Sequence, residues 1–166
     1  MLNILYAPWR SEYINDKKEK GCVFCNISKN PSMDEKNHVL FRDESCFIVM
    51  NKYPYTPGHF MIIPHMHLDN LESLKDETWL RMSFLAKRGV ALLKEKFNAE
   101  GVNIGMNLGV AAGAGIAEHI HMHLVPRWQR DTNFITSIAN TRVYSTDFEK
   151  IYKRLKDFSK EYFKNT

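Results

Sequence analysis

The sequence predicts an α+β fold: an antiparallel sheet with a long central helix and a C-terminal helix. Three observations carry this expectation. Short β-rich runs follow one another from Val39, each bounded by turn residues. A long central stretch repeats apolar residues at helical spacing, and a second such stretch closes the chain. A sheet that buries one face against helices satisfies all three.

Residues 1–36 mix proline, lysine and small polar residues around Cys22-Val23-Phe24-Cys25, and read as an irregular arm. The core, residues 37–135, opens with the strand-like runs Val39-Leu40-Phe41, Phe47-Ile48-Val49-Met50 and His59-Phe60-Met61-Ile62-Ile63. Pro54, Pro57 and Gly58 break the chain between the last two, so a hairpin-like connection is expected there. Asp69 followed by Glu72 resembles a capping signal. After it, Leu71, Leu74, Leu80, Phe84, Leu85, Ala91, Leu92 and Phe97 predict the long helix, which Gly101 should close. A strand over Val102–Leu108, a small-residue loop over Gly109–Gly115 and a strand from about His119 to Val125 complete the core. In the extension, residues 136–166, Thr146 and Glu149 read as a capping box ahead of Phe148, Ile151, Tyr152, Leu155, Phe158 and Tyr162, which share one helix face.

With 166 residues, 44% of them hydrophobic, the chain can bury one core, and a single domain over 1–166 is expected. No run approaches the roughly 18 apolar residues of a membrane span. Met1–Arg10 lacks the charged and apolar regions of a signal peptide, so a cytoplasmic protein without membrane partners is expected. The formal charge of +4 suits a phosphate-bearing ligand but falls short of a nucleic-acid footprint. An odd count of three cysteines argues against a disulfide framework.

The strongest chemical signal is His119-Ile120-His121-Met122-His123. Strand side chains alternate, so the three imidazoles share one face while Ile120, Met122 and Leu124 share the other. At the histidine content of this chain, such spacing arises by chance on the order of once in a hundred sequences. Imidazole can bind metal, shuttle protons, or attack phosphorus as a neutral nucleophile near pH 7. Neighbouring imidazoles can also donate hydrogen bonds to the charge that builds on a phosphate under attack.

His119 to Val125, continued by Pro126-Arg127, resembles the His-φ-His-φ-His-φ-φ signature of the histidine-triad superfamily. Asn51 to Pro64, with Pro57-Gly58-His59, is similar to that family's nucleotide-binding hairpin, and Asn107-Leu108-Gly109 resembles the segment before its glycine-rich loop. The resemblance implies a HIT-like fold, commonly dimeric through the central helix and sheet. It implies His121 as nucleophile at an α-phosphate, His123 and His59 as donors to phosphate oxygens, Asn51 at the ribose and Asn107 at the phosphates. A simple turn role is the alternative for Asn51 and Asn107. The loop carrying Gly113 and Gly115 can offer backbone N–H groups to phosphates, or serve as a plain turn. No catalytic metal is required.

Cys22 and Cys25 have the spacing of half a structural zinc site. By resemblance to zinc-carrying members, the other ligands are His67 and His119. His65 is a rival to His67, and a reduced or redox-active cysteine pair is the alternative to zinc. Cys46 reads as a small buried hydrophobe, and His38 has no partner in sequence.

Tyr6-Ala7-Pro8-Trp9-Arg10, Gly113 to Ala117, and Pro126-Arg127-Trp128 with Asp131 to Phe134 look like bacterial relatives of diadenosine tetraphosphate phosphorylase, near the fragile-histidine-triad branch. Gln129-Arg130 departs from that pattern, since relatives tend to carry glycines there. Arg127, Trp128 and Arg130 can bind a distal phosphate, stack a base, or simply lie at the surface. The resemblance therefore implies cleavage of a dinucleoside polyphosphate through a nucleotidyl-histidine, by water or by inorganic phosphate. Phosphoramidate cleavage and a zinc-stabilised nucleotide-binding module without turnover are the rival functions. The C-terminal helix is expected at a dimer interface or over the far end of the site.

Overall fold

The structure is a computed structural model that describes residues 21–129, 131, 138 and 146–164. Tyr6 to Arg10, Arg130 and Thr132 to Phe134, singled out above, lie outside the described residues. The strands β1 (Val39–Arg42), β2 (Cys46–Met50), β3 (Phe60–Pro64), β4 (Gly101–Gly105) and β5 (Met122–Arg127) form one antiparallel sheet in the order β1-β2-β3-β5-β4. Helix α1 spans Val23–Lys29, α2 Asp76–Phe97 and α3 Phe148–Phe163.

Side-chain alternation divides the sheet into two faces, both covered. Leu40, Cys46, Ile48, Met50, Phe60, Ile62, Met122 and Leu124 pack against Met82, Leu85, Leu92 and Leu93 of α2 and Ile151, Leu155 and Phe163 of α3. Their neighbours Val39, Phe47, Val49, Met61 and Ile63 pack the other way, against Cys22 and Phe24. The histidines belong to this second face. α3 therefore covers the face away from them, held against α2 and β1, and does not close the far end of the site.

Several element boundaries differ from the sequence reading, among them the end of β4, which comes at Gly105 and not at Leu108. The arm is not irregular throughout, because Cys22 is the N-cap of α1 and a 3-10 turn follows at Pro31–Met33. α2 starts at Asp76 instead of after Asp69: Asn70 accepts the Ser73 N–H through its side chain at 3.0 Å, and this local bond makes a turn in place of a helix. Its end comes at Asn98, in left-handed conformation at φ 52°, while Gly101 already belongs to β4. α3 is capped by Asp147, which accepts the Lys150 N–H at 3.1 Å, and not by Thr146.

Gly89 sets how closely α2 approaches the sheet. A Cβ there would lie 2.8 Å from Leu124 Cδ2 and 2.9 Å from Phe60 Cζ, both on fully buried side chains. Gly89→Ala should therefore lose about 1–3 kcal/mol to overpacking, reduced by about 1 kcal/mol of gained helix propensity. Thermal or denaturant unfolding checks this, and an unchanged or raised midpoint would contradict the close approach. Among the described residues no helix is long and apolar enough to cross a membrane.

Candidate active site and metal cluster

The β5 ladder starts at Met122, so of the three histidines of the row only His123 lies in a paired strand. The register Ile62↔Met122, if continued, would set Ile120 opposite Pro64. Proline ends that edge because it has no N–H. The Ile120 N–H instead donates to the Leu68 carbonyl at 2.7 Å, and the Pro64 carbonyl accepts from the His119 ring at 2.9 Å. The alternation persists without the ladder: Ile120, Met122 and Leu124 enter the helix-side core. On the opposite face the buried Phe24 ring packs 5.5 Å from His119 and 5.1 Å from His121.

Backbone partners decide which nitrogen of each ring carries its proton. His121 Nδ1 lies 2.8 Å from the His119 carbonyl oxygen, which can only accept, so Nδ1 is protonated and Nε2 keeps its lone pair. His119 Nε2 faces the Pro64 carbonyl, so its lone pair is on Nδ1. The Tyr55 N–H donates to His59 Nδ1 at 3.1 Å, which puts the His59 proton on Nε2. From there it is donated to His123 Nδ1 at 2.9 Å, leaving His123 with Nε2–H as its free group. A bare imidazole nitrogen and an N–H donor thus come from adjacent rings with centroids 4.8 Å apart.

In the structure His59 sits beside His123 with its ring already partnered. It is fully buried, and both ring nitrogens are already bonded, so in this arrangement neither is left for a phosphate oxygen. It orients His123. Asn51 sits across the hairpin base, its N–H donating to the His59 carbonyl at 3.0 Å, and its amide nitrogen lies 3.4 Å from His59 Nδ1.

Burial, with the repulsion of neighbouring imidazoles second, holds His59 down to about 3 and His123 down to about 4. Burial also lowers His121, against a smaller opposing effect of the His119 carbonyl, so its neutral form dominates at pH 7. Since unfolded histidine titrates near 6.5, the unfolded chain takes up protons first on acidification. The stability these neutral rings contribute is complete above about pH 6.5 and is lost as pH falls toward about 4 and then 3. In chelator, the unfolding midpoint should fall across this window. His59→Gln, whose amide offers the same donor and acceptor, should show a shallower fall, and an identical slope would refute the assignment.

Cys22, Cys25, His67 and His119 converge so that their ligand atoms all lie within 4.8 Å of one another. His119 Nδ1 is 3.3 Å from Cys22 Sγ and 3.7 Å from Cys25 Sγ, and His67 Nδ1 is 3.2 Å from Cys25 Sγ. A tetrahedral site with two thiolates and two imidazoles needs edges of about 3.5 Å, so the donor set fits such a metal. The lone pair on His119 Nδ1 faces the cluster, oriented by Pro64 as a supporting hydrogen bond should. All three cysteines are unbridged.

The other histidines are accounted for. His65 donates from Nε2 to the Asp43 carbonyl at 2.9 Å and meets Ser28 Oγ with Nδ1 at 2.7 Å, so it is no rival to His67. His38 bonds Glu149 at 2.7 Å. Cys46 is fully buried, and burial pushes its thiol far up, as expected of a small hydrophobe.

Asn107 follows β4, two residues beyond Gly105, which pairs with His123. Gly109 and Gly113 adopt φ 82° and 85°, a conformation that favours glycine, whereas Gly115 shows no such requirement. Arg127 is held by Asp131 at 2.9 Å and by Asn103 at 3.2 Å. Trp128 faces the helix-side core and donates its indole N–H to the Phe97 carbonyl at 3.3 Å, which excludes it from stacking a base beside the histidines. Sequence reasoning missed Tyr55, Phe24 and Thr56. An aromatic between Pro54 and Pro57 was the one available signal for Tyr55.

A family model for the HIT domain matches residues 32–130, more than half of the chain. The chain is 34% identical over 151 residues to a Mycobacterium tuberculosis protein named AP-4-A phosphorylase, covering 86% of this chain and 76% of that one. It is 28% identical over 101 residues to a Dictyostelium discoideum bis(5'-adenosyl)-triphosphatase, covering 61% and 67%. Among solved structures, a zinc-bound histidine triad family protein from Mycobacterium smegmatis superposes with a TM-score of 0.69 at 30% identity, covering 85% of this chain and 94% of that one. The polarised histidine row, the hairpin that supports it and these likenesses agree: the chain belongs to the HIT domain family.

Proposed function

We propose that this protein is an enzyme that cleaves dinucleoside polyphosphates at an α-phosphate through a covalent nucleotidyl-His121 intermediate. One observation carries the reading: the His119 carbonyl pins the His121 proton to Nδ1, leaving Nε2 bare beside the His123 N–H. The names of the two relatives, an AP-4-A phosphorylase and a bis(5'-adenosyl)-triphosphatase, support the substrate class.

In this reading His121 Nε2 forms a bond to the α-phosphorus as the bond from phosphorus to the bridging oxygen breaks. The electron pair leaves with a nucleoside polyphosphate, a stable anion at neutral pH, so no proton transfer is needed. The His123 Nε2–H donates to an oxygen that gains charge. The modified His121 ring, protonated at Nδ1, is cationic and is itself a good leaving group. Water or inorganic phosphate then forms a new P–O bond, the P–N bond breaks, its pair returns to Nε2, and one proton goes to solvent. Asn51 and Asn107 are assigned to ribose and phosphate, and the backbone around Gly113 and Gly115 to phosphate. Zinc held by Cys22, Cys25, His67 and His119 is assigned a structural role, supported by the cluster and by the zinc-bound neighbour.

The test is incubation with diadenosine tetraphosphate and with adenosine phosphoramidate, each with and without inorganic phosphate, followed by separation of products. ADP plus ATP that requires phosphate indicates phosphorolysis, and AMP plus ATP indicates hydrolysis. Turnover of the phosphoramidate alone would replace the substrate class, and turnover of neither would sink the enzyme reading. A homodimer belongs to the reading, supported by exposed Trp79, Leu80 and Phe84 on α2 and by the edge position of β4. A monomeric mass in sedimentation would exclude it.

A further inference from the structure

Tyr55 is 57% exposed, yet its surroundings hold it in place. It stands between Pro54 and Thr56-Pro57. Thr56 is 2% exposed and donates its hydroxyl to the Pro126 carbonyl at 2.9 Å, tying this loop to the end of β5. The Tyr55 N–H is committed to His59 Nδ1. Its ring lies nearly parallel to the His59 ring, 4.8 Å away with 29° between planes, and 6.1 Å from His123. One ring face therefore covers the histidine pair. A proline-flanked, anchored loop thus presents an aromatic ring to solvent at the open end of the row.

The two ends of that row are unlike. Phe24, 4% exposed, closes the flank of His119 and His121. From His121 the row runs through His123 and His59 to Tyr55, so among the described residues the exposed end of the row is the Tyr55 side. An in-line displacement at phosphorus sends the leaving group away from the attacking nitrogen. With the Phe24 flank closed, that direction is toward His123 and Tyr55.

We propose that Tyr55 is a specificity-determining residue whose exposed ring stacks the base of the departing nucleotide, so that the site favours substrates whose leaving group ends in a second nucleoside. The inference rests on the nucleotidyl-transfer reading and adds the recognition of the far half of the substrate. Nothing in the chemistry of the transferred half requires this ring.

The test compares kcat/KM for diadenosine tetraphosphate, which has a second base, with that for adenosine phosphoramidate, which has none. Tyr55→Ala should lower the tetraphosphate-to-phosphoramidate ratio about tenfold, the scale of one base–aromatic stack. Tyr55→Phe, which keeps the ring, should restore it. A ratio unchanged in Tyr55→Ala overturns the proposal, because a ring that only props His59 would slow both substrates alike. In a His121→Ala background, calorimetry gives a reading without turnover. There Tyr55→Ala should weaken diadenosine tetraphosphate about tenfold more than AMP, and equal weakening also overturns it. Wild-type protein that neither turns over nor binds these nucleotides removes the functional reading itself, and this inference with it.

Discussion

His121→Ala is expected to lower turnover of the dinucleoside substrate by about 10⁴-fold or more, while the fold and nucleotide affinity remain nearly intact. Loss of a covalent nucleophile removes the bond-forming partner, and residual catalysis by positioning and hydrogen bonding is a small remainder. The ring lies on the less crowded face of the sheet, under Phe24, outside the helix-side core that carries most of the large apolar side chains. His123→Ala should be milder, on the order of 10²-fold, since it removes a donor and not the nucleophile. Rapid-quench trapping of a nucleotidyl-protein adduct in wild type, and its absence in His121→Ala, is the direct measurement. An adduct that persists in His121→Ala would reassign the nucleophile.

Cys22→Ser is expected to abolish stoichiometric metal binding and to cost on the order of 3 kcal/mol or more of stability under metal-replete conditions. Cys22 caps α1 and packs at 8% exposure beside Phe24, so the cluster joins the arm to the histidine face of the sheet. The effect should also reach the catalytic row. His119 contributes its ring to the cluster and its carbonyl to His121 Nδ1, so loosening the ring loosens the group that fixes the nucleophile's tautomer. Metal analysis, melting with and without chelator, and the ¹⁵N signals of the His121 ring together check this. Native protein that contains no zinc, or a melting midpoint indifferent to chelator, would remove the structural-metal assignment.

Much of this architecture is legible from spacing alone. The alternation at Phe47-Ile48-Val49-Met50 and at His119 to Val125 assigned side chains to faces correctly, even where residues 119–121 leave the ladder. The helical periodicity at Leu85, Leu92 and Phe97 placed α2 on the sheet, whereas Leu80 and Phe84 of the same series face outward. The capping signals were less informative. Asp69 with Glu72, and Thr146 with Glu149, have the right residue types, but Asn70 made a competing turn and Asp147 took the cap. Both outcomes turn on one local hydrogen bond, a scale that periodicity does not resolve.

Trp128 shows a different gap. Its position just past the triad suggested contact with a nucleotide base, yet one more step of alternation along β5 turns it to the helix side, toward the Phe97 carbonyl. His59 shows another. Its place after Pro57-Gly58 marks it as a candidate site residue, while the partners of its two nitrogens, the Tyr55 N–H and His123, come from the preceding loop and from β5.

The sequence by itself determined that three histidines share one sheet face, because period-two alternation follows from backbone geometry and needs no partner. It also brought out Cys22 and Cys25 as a metal-capable pair by their spacing. Only the tertiary structure decided which nitrogen of each ring carries the proton. A neutral imidazole is nucleophile or donor according to which nitrogen carries the proton, and that depends on the group facing the other nitrogen. Those groups are the carbonyls of Pro64 and His119, the N–H of Tyr55 and the ring of His59. Apart from the His119 carbonyl and the Tyr55 N–H, these groups are remote in sequence from the histidines they polarise, so the chemistry of the row becomes specific only when the hairpin folds against β5.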